Sequence, residues 1–420
     1  PKEKQNTLKN NKTIMNLFKE NGYFTLGTGK LMHGNSKDGW DKWGEPHAQN
    51  YGPFYFDGEK VRPNPATPEP FRSIGPIDGS FGPLSAAGES SGKKNEKGWI
   101  LGWNRKPLRY INDNDRGLLP DELHANWAVK QIKILSNEDI SKPFFMGVGF
   151  VRPHTPLITT DKYFKMFPIE TLLLSKWMKG DSDDTYYLDN FGEKLKGSKY
   201  YKMILESYNN DREKAIKYFL QAYLACVAFV DEQVGKVVES IEKSKFKENT
   251  IVIFTSDHGW QMGEKEYLFK NSPWEESSRI PMIFKIPNQK GGVVIDQPVS
   301  LIDIFPTLID LCNLNGDYRK NSNGGELGGY SMKPLLYGSG KWKGPNGALT
   351  LVGNNGYSKS ENEQTYSYRT KQYRLICYGN GKKELYDHFK DPYEWENISN
   401  YNKKLIKQLN NEMDDILINR

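Results

Sequence analysis

The feature that most limits the possible folds is a long amphipathic helix that leads directly into an apolar strand. Between Ala215 and Ser244 the apolar residues recur every three or four positions, which predicts a helix with one face packed on a sheet. A polar turn follows, and residues 251–254 form an apolar run, rich in β-branched side chains, that predicts a buried strand. A helix that returns the chain to a strand is the repeating unit of doubly wound proteins, so the sequence predicts an α/β fold.

Two polar residues, Asp257 and His258, lie just beyond the carboxyl end of this predicted strand. Ligands of open α/β sheets bind at such strand ends. The next loop carries two glutamates and Lys270, and a second apolar strand is predicted at residues 280–286. These groups predict a site for a metal ion and an anion. The simpler interpretation is a capping aspartate, a surface histidine and a solvated lysine, and this motif alone does not choose between the two.

Two further predicted strands end in basic residues. Residues 22–34, GYFTLGTGKLMHG, predict a short strand and a glycine-rich turn that presents Lys30 and His33. Residues 144–151 predict a buried strand, and the RPHTP sequence after it forms a stiff turn that holds His154. Three of the six histidines of the chain therefore lie at strand ends, a placement that is hard to attribute to packing.

The remaining segments predict an insertion and a smaller C-terminal part. From Gly39 to about Arg116 no periodicity persists, which predicts a loop-like insertion that lines or covers a site, with His47 as a candidate contributor. After about residue 344, short strand-like runs at 348–352, 365–370 and 373–378 precede a helical pattern at 405–417. We therefore predict a main α/β domain at residues 1–343 and a C-terminal subdomain at residues 344–420.

Composition excludes some classes of protein. The chain has 420 residues and a formal charge of +6, which favours anionic partners by electrostatic steering. Its basic residues are scattered among acidic ones, so nucleic-acid binding is not predicted. No apolar run reaches the roughly 18 residues of a transmembrane helix, and the first residues, PKEKQNTLKNNK, contain no apolar segment typical of a signal peptide. The three cysteines show no metal-binding spacing.

Four motifs, in this order along the chain, carry a resemblance to a known family. GYFTLGTGKLMHG, RPHTP, TSDHGW and GEKEYLFK resemble the motifs of type I sulfatases of the alkaline phosphatase superfamily, in particular iduronate-2-sulfatase and its bacterial relatives. The resemblance covers roughly residues 12–400. It implies an alkaline-phosphatase-like sheet flanked by helices on both faces, with a smaller C-terminal antiparallel α+β subdomain. It also implies hydrolysis of sulfate esters on a sulfated saccharide, in a periplasmic or extracellular location.

The resemblance assigns a metal site and an anion site. Asp257 and His258 would bind a divalent cation, usually Ca²⁺ or else another such as Mg²⁺. Because calcium prefers hard oxygen ligands, Asp257 is the stronger candidate of the two. The implied catalytic and substrate-binding residues are Lys30, His33, His154 and Lys270. The lysines would bind sulfate oxygens, His33 would serve the catalytic aldehyde hydrate, and His154 would contact the sulfate and the leaving oxygen.

These residue types suit the reaction. Cleavage of a sulfate ester places negative charge on oxygens that a cation and ammonium groups stabilise. The departing alkoxide needs a proton, so a histidine or lysine must lie next to it. We expect the six side chains to converge at the carboxyl edge of the main sheet: Lys30, His33, His154, Asp257, His258 and Lys270.

The sequence departs from the family pattern in two respects. The formylglycine nucleophile is made from a C/S-x-P/A-x-R motif, which this chain lacks, and the paired aspartates that complete the metal site are also missing from any strand end. Both features belong upstream of the motif at residues 22–34. We therefore expect the chain to be a piece of the enzyme, with the missing part present as a separate N-terminal fragment or encoded ahead of Pro1.

Two alternatives to a sulfatase stay open. A phosphodiesterase or phosphonate hydrolase of the same superfamily uses similar cations for a similar anion. A non-catalytic binder of sulfated glycans would keep the cationic site and lack the nucleophile. The gene sequence upstream of this chain tests the second alternative, and the relative turnover of sulfate and phosphate esters tests the first.

Overall fold

The computed structural model describes residues 8–32, 38–44, 51–138, 142–192, 195–353 and 363–418. The chain forms two compact units. The N-terminal unit consists of Phe18–Ser175 and Lys202–Thr250, and the C-terminal unit of Pro1–Leu17, Lys176–Tyr201 and Ile251–Arg420. The domain boundary expected near residue 344 stays a prediction. No helix of the described residues is long and apolar enough to cross a lipid bilayer.

Helices and strands occur in successive groups along the chain. The described helices are α1 (Ile14–Glu20), α2 (Pro120–Asn137), α3 (Asp161–Phe164), α4 (Tyr187–Phe191), α5 (Lys196–Glu206), α6 (Arg212–Glu242), α7 (Glu275–Ser278), α8 (Ile304–Cys312), α9 (Lys333–Leu336) and α10 (Lys403–Ile418). The described strands are β1 (Phe24–Gly29), β2 (Lys42–Trp43), β3 (Phe54–Phe56), β4 (Val61–Arg62), β5 (Phe81–Pro83), β6 (Gly98–Ile100), β7 (Pro107–Leu108), β8 (Tyr110–Asn112), β9 (Asp115–Arg116), β10 (Phe144–Gly149), β11 (Leu157–Thr159), β12 (Val252–Thr255), β13 (Gln261–Met262), β14 (Leu268–Phe269), β15 (Met282–Lys285), β16 (Gly347–Val352), β17 (Thr365–Thr370), β18 (Tyr373–Cys377) and β19 (Lys383–Asp387).

A parallel sheet and two long helices form the framework of the N-terminal unit. Strand β1 lies between β10 and β2, with Phe24 opposite Phe144 and Gly29 opposite Gly149. Helix α2 packs on β1 and β10, and α6 packs on α2 and on strands β5 and β11. The side chain of Asp211 caps α6 by accepting from the amide of Lys214 at 3.0 Å. The sequence-based prediction of this long helix is confirmed to within a few residues.

The prediction that residues 39–116 are loop-like is wrong. The described part of this segment contains strands β2 to β9, four of which form an antiparallel sheet in the order β4-β3-β6-β7. Trp99 on β6 is 1% exposed, and its indole nitrogen donates to the carbonyl oxygen of Leu84 at 3.0 Å. Each strand is only two or three residues long. Strands this short show no hydrophobic period, and the glycines and prolines at their ends mimic the composition of a loop.

In the C-terminal unit, the strand predicted at residues 251–254 is present but is not buried. Strand β12 pairs with β15 as an antiparallel ladder of two strands. Phe254 on β12 is 42% exposed, and Ile283 opposite it is 58% exposed. The apolar composition predicted burial, but within the described residues this ladder has no third strand.

The end of the C-terminal unit confirms the predicted antiparallel sheet with a helix. Strands β16 to β19 pair in sequence order, and every neighbouring pair is antiparallel. Helix α10 packs on this sheet through Leu409 and Met413, which contact Leu375 and Leu385 in one buried cluster. The fourth strand, β19, is missing from the sequence-based prediction, because its sequence KELYD has three charged residues in five positions and shows no alternation of polar and apolar residues.

Candidate active site

In the N-terminal unit, a glycine at the end of β1 sets the position of Lys30. Gly29 has a φ of 75°, and a β-carbon there would lie 1.8 Å from the carbonyl oxygen of Gly149 on β10. Only glycine permits so close an approach of the two strand ends. The amide of Lys30 donates to the same carbonyl oxygen at 2.9 Å. Lys30 is therefore held at the carboxyl end of the parallel pair.

The turn after β10 is organised by the buried side chain of Arg152. Its guanidinium donates to four backbone carbonyl oxygens at 2.7–3.3 Å, those of Tyr51, Gly52, His154 and Ile158. The carboxylate of Asp121, which is 2% exposed, accepts from the amides of residues 151 and 152 at 2.9 Å each. One buried guanidinium thus ties the backbone of the RPHTP turn to the backbone before β3.

Tyr51 lies between Lys30 and His154. The Lys30 ammonium is 5.2 Å from the centre of the Tyr51 ring. The Tyr51 and His154 ring centres are 5.0 Å apart, with the ring planes inclined at 66°. The structure therefore brings together the two predicted basic residues of this unit that it describes, with an aromatic ring from the segment at residues 39–116 between them.

The hydrogen bonds of His154 determine its tautomer. Its Nδ1 lies 2.8 Å from the carbonyl oxygen of Thr155. A carbonyl oxygen only accepts, so Nδ1 carries the proton, and in the neutral ring Nε2 carries the lone pair. Nε2 is then the atom that can serve a ligand.

In the C-terminal unit, the turn after β12 is fixed against α7. The amide of Gly259 donates to the carbonyl oxygen of Ser277 at 2.8 Å, and the amide of Trp260 donates to that of Glu276 at 2.6 Å. A β-carbon at residue 259 would lie 2.0 Å from the Glu276 carbonyl oxygen. Glycine after the Asp-His pair is therefore needed for the turn to pack on α7.

Asp257, His258 and Lys270 lie together in this unit. The Nδ1 of His258 donates to the carbonyl oxygen of Gly259 at 2.8 Å, which leaves the lone pair of the neutral ring on Nε2. The Lys270 ammonium donates to this Nε2 at 2.8 Å. A carboxylate oxygen of Asp257 is 3.5 Å from the same nitrogen, and the Asp257 side chain is 71% exposed.

This arrangement fits two ligands of a divalent cation. The carboxylate oxygen of Asp257 and Nε2 of His258 are neighbours, and hydrogen bonding of Nδ1 to a carbonyl group is the usual way in which proteins orient a ligating histidine. Calcium takes about six to eight ligands, mostly oxygens, so these two residues would supply only part of a coordination shell.

The loop that carries Lys270 is held by a buried ion pair. The Lys265 ammonium donates to the Asp181 carboxylate at 2.6 Å, and both side chains are 2% exposed. The backbone amide of Lys265 donates to the same carboxylate at 3.1 Å, and the ammonium also donates to the carbonyl oxygen of Glu394. Four residues of this loop, none of them glycine, have positive φ angles: Lys265, Glu266, Phe269 and Asn271. Such backbone costs about 1–3 kcal/mol per residue, and buried contacts of this kind offset it.

A second cluster of possible metal ligands lies elsewhere in the C-terminal unit. The ligand atoms of Glu275, His388 and Glu394 lie within 4.8 Å of one another. Arg374 donates to both glutamates, and Arg369 donates to Glu275 at 3.0 Å. Burial alone would raise the pKa of Glu394, but Arg374 and His388 outweigh it and hold the pKa at about 2. Two arginines already balance the two carboxylates, so this cluster is an ionic network that supports the fold, not a metal centre.

The predicted site residues divide between the two units. Lys30 and His154 lie in the N-terminal unit, whereas Asp257, His258 and Lys270 lie in the C-terminal unit. His33 and His47 lie outside the described residues. Within each unit the predicted residues are neighbours.

Sequence reasoning missed the residues that hold these side chains in place. Tyr51 lies in a segment predicted to be loop, and Arg152 resembles a surface residue of a proline-rich turn. Asp181 lies in the polar run DSDD, whose composition is typical of protein surface, and Lys265 lies in a loop with three other charged residues. Their partners are up to 129 positions away in sequence, so local patterns contain no signal for them.

Comparison with known proteins identifies the family. A family model named Sulfatase matches residues 3–314, about three quarters of the chain. The chain belongs to the sulfatase family. A second model, for the C-terminal region of N-sulphoglucosamine sulphohydrolase, matches residues 263–419. The resemblance seen in the four motifs is therefore confirmed.

Curated relatives agree with this assignment. A sulfatase of Formosa agariphila is 31% identical over 385 residues, which cover 91% of this chain and 65% of the relative. The iduronate 2-sulfatase of Mus musculus is 25% identical over 344 residues, which cover 72% of this chain and 54% of the relative. The chain thus spans between about half and two thirds of the length of these relatives.

Solved structures confirm the alkaline-phosphatase-like α/β fold. A 2-O glycosaminoglycan sulfatase superposes with a TM-score of 0.60 at 18% identity, covering 97% of this chain and 74% of that protein. A phosphonate monoester hydrolase of Agrobacterium radiobacter superposes with a TM-score of 0.65 at 19% identity, covering 96% and 79%. Since sulfatases and phosphonate hydrolases share this fold, the fold alone does not identify the substrate.

Proposed function

We propose that this chain contributes the anion-binding and part of the metal-binding residues of a sulfatase that hydrolyses sulfate esters of a saccharide. The observation that carries the proposal is that each unit brings an ammonium group close to a histidine of fixed tautomer: Lys30 and His154 both contact the ring of Tyr51, and Lys270 donates to His258. Membership of the sulfatase family supports sulfate as the anion. The names of relatives that act on iduronate or glycosaminoglycans support a sulfated saccharide as the substrate.

Each predicted residue would have its own role in the hydrolysis of a sulfate ester. Lys30 and Lys270 would bind the sulfate oxygens and stabilise the charge that grows on them as the S–O bond breaks. His154, protonated at Nε2, would give its proton to the departing sugar oxygen. His33 and His47 are further candidates for contacts with the nucleophile and the substrate. The expected location is the periplasm or the cell exterior.

Asp257 and His258 would hold a divalent cation, for which we propose Ca²⁺. Such a cation would polarise the sulfate oxygens when bound. Because the Lys270 ammonium occupies the lone pair of His258 at 2.8 Å, this lysine must turn away when the cation binds. This movement of the Lys270 side chain would make its positive charge available to the sulfate. The nucleophile would be a formylglycine, for which this chain has no motif.

The proposal is tested with the protein produced from its complete gene and defined sulfated oligosaccharides, by measuring sulfate release. We expect Lys270→Ala to lower kcat by about 10²–10³-fold, the effect of removing one preorganised donor to the transition state. The melting temperature should not change, because a half-buried loop lysine contributes little to packing. Lys371→Ala, at a lysine 61% exposed in the same unit, is the matched control. An active Lys270→Ala protein with a lowered melting temperature would assign this lysine a structural role.

A further inference from the structure

We propose that Tyr51 is a positioning residue of the anion site, which holds the Lys30 ammonium over its ring and so keeps that charge available for sulfate. The inference rests on the proposed function and deepens it. Tyr51 lies in the segment predicted as a loop-like insertion that lines or covers a site, but it is not among the predicted site residues, and none of the four family motifs includes it.

The backbone of Tyr51 is held in place independently of its ring. Its carbonyl oxygen and that of Gly52 accept from the buried guanidinium of Arg152, at 3.1 and 2.7 Å. A β-carbon at Gly52 would lie 2.0 Å from the carbonyl oxygen of Leu101, so the chain passes close to the end of β6 here. The same guanidinium donates to the carbonyl oxygen of His154 at 3.2 Å. The spacing between Tyr51 and His154 is therefore fixed by main-chain contacts.

The ring contacts both functional groups in different ways. The Lys30 ammonium lies over the ring, 5.2 Å from its centre, within the range of a cation–π interaction. The imidazole of His154 meets the ring at an inclination of 66°, an edge-to-face packing that restricts rotation of both rings. Tyr51 thus orients a cation and a proton donor from a single side chain.

The chemistry of the partner explains why an aromatic ring suits this position. A carboxylate beside Lys30 would neutralise the ammonium and compete with an incoming sulfate. An aromatic face attracts the ammonium through its quadrupole and leaves its full positive charge. Within the described part of the chain, no carboxylate lies within 4.0 Å of the Lys30 ammonium. The ring therefore restricts the lysine without consuming the charge that the anion needs.

The experiment measures the dissociation constant of inorganic sulfate by calorimetry for the protein from its complete gene. Inorganic sulfate has no sugar, so stacking of a saccharide on the ring does not contribute. We expect Tyr51→Leu to weaken binding by about two- to thirtyfold, the fold-change equivalent to one cation–π interaction. Tyr51→Phe keeps the aromatic face and should bind within about twofold of the wild type. The melting temperature of Tyr51→Phe should equal that of the wild type.

Two controls isolate the cause. Tyr393→Leu removes a similar pair in the other unit, where the Lys176 ammonium lies 5.5 Å from the ring centre, and should leave sulfate binding unchanged. In a Lys30→Gln background, Tyr51→Leu should have little further effect, because Tyr51 acts through Lys30. The double-mutant cycle separates this role from a general loosening of the fold.

Several results would overturn the inference. One is an unchanged affinity of Tyr51→Leu for sulfate. Another is a loss of affinity in Tyr51→Phe as large as that in Tyr51→Leu, because the hydroxyl group, and not the ring, would then be responsible. An undiminished loss in the Lys30→Gln background would show that Tyr51 does not act through Lys30. If the wild-type protein binds no sulfate, the proposed function itself fails and the inference fails with it. If the wild type binds sulfate and Tyr51→Leu binds equally well, only the inference fails.

Discussion

The two units hold the lysines proposed to bind the anion by different means. In the N-terminal unit, the buried guanidinium of Arg152 donates to four neutral carbonyl oxygens, and Lys30 lies over an aromatic ring. In the C-terminal unit, the buried Lys265 forms an ion pair with Asp181, and Lys270 donates to an imidazole. In both, a buried cation secures the backbone while a second, more exposed cation is presented to solvent. The comparison teaches that, in each unit, the buried cation that holds the backbone and the lysine proposed to bind the anion are separate residues: they lie in one loop in the C-terminal unit and after two different strands in the N-terminal unit.

The ion pair of the C-terminal unit should show the largest effect on stability. Asp181→Asn leaves the Lys265 ammonium buried without its counter-ion, and we expect the free energy of unfolding to fall by about 3–5 kcal/mol. Chemical denaturation measures this loss. Asp296→Asn, at a pair with Lys371 whose side chains are both more than 60% exposed, should cost at most about 1 kcal/mol. Equal losses at the two pairs would contradict the assignment of a special structural role to Lys265.

We expect that no other cationic side chain can replace the guanidinium of Arg152 in the N-terminal unit. Arg152→Lys keeps the charge but cannot reach four carbonyl oxygens, so we expect a loss of about 2–4 kcal/mol in unfolding free energy. Chemical denaturation would measure it. Lys162→Arg, at a half-exposed surface pair with Glu232, is the control and should be nearly neutral. A stable Arg152→Lys protein would show that the carbonyl contacts contribute little.

Much of this organisation was predictable from sequence, and the limits have physical causes. The periodicity of α6 predicted the fold class, and the polar residues after β1, β10 and β12 predicted the neighbours within each unit, because helical period and strand-end position are local properties. Asp181 and Lys265 are 84 positions apart, and Tyr51 meets Arg152 across 101. Pairings of that kind depend on the tertiary fold. The exposure of β12 was also unpredictable, because an apolar composition shows that a strand is hydrophobic but does not show which part of the protein covers that strand.

The two units should also respond oppositely to pH. In the C-terminal unit, burial and the neighbouring Glu394 and Glu264 raise the pKa of Glu276 from 4.5 to about 8. The folded state then keeps a proton that the unfolded state releases, so stability falls as pH rises between these two values. Each pH unit is worth at most about 1.4 kcal/mol, and partial solvent contact reduces the total to about 2 kcal/mol. Glu276→Gln should flatten this part of the stability profile measured by denaturation, and an unchanged slope would contradict the shift.

In the N-terminal unit, His124 should produce the opposite slope. Its side chain is fully buried beside Thr28, whose hydroxyl lies 3.0 Å from Nδ1, and burial lowers the pKa of His124 from 6.5 to about 4. Between pH 6.5 and about 4 the imidazole of His124 binds a proton in the unfolded state but not in the folded state, so stability falls as the pH drops through this range. We expect a loss of about 1–2 kcal/mol that His124→Gln removes. A variant that keeps the acid-induced loss would assign it to other groups.

The central claim, that this chain serves sulfate ester hydrolysis, is tested most directly against the rival chemistry of the same fold. The measurement is kcat/KM of the protein from its complete gene for an aryl sulfate and for the matching aryl phosphonate monoester, with Lys30→Ala and Lys270→Ala beside the wild type. We predict that the sulfate is the better substrate and that each substitution lowers its turnover without changing the melting temperature. A higher kcat/KM for the phosphonate, or undiminished sulfate turnover in both variants, would contradict the claim.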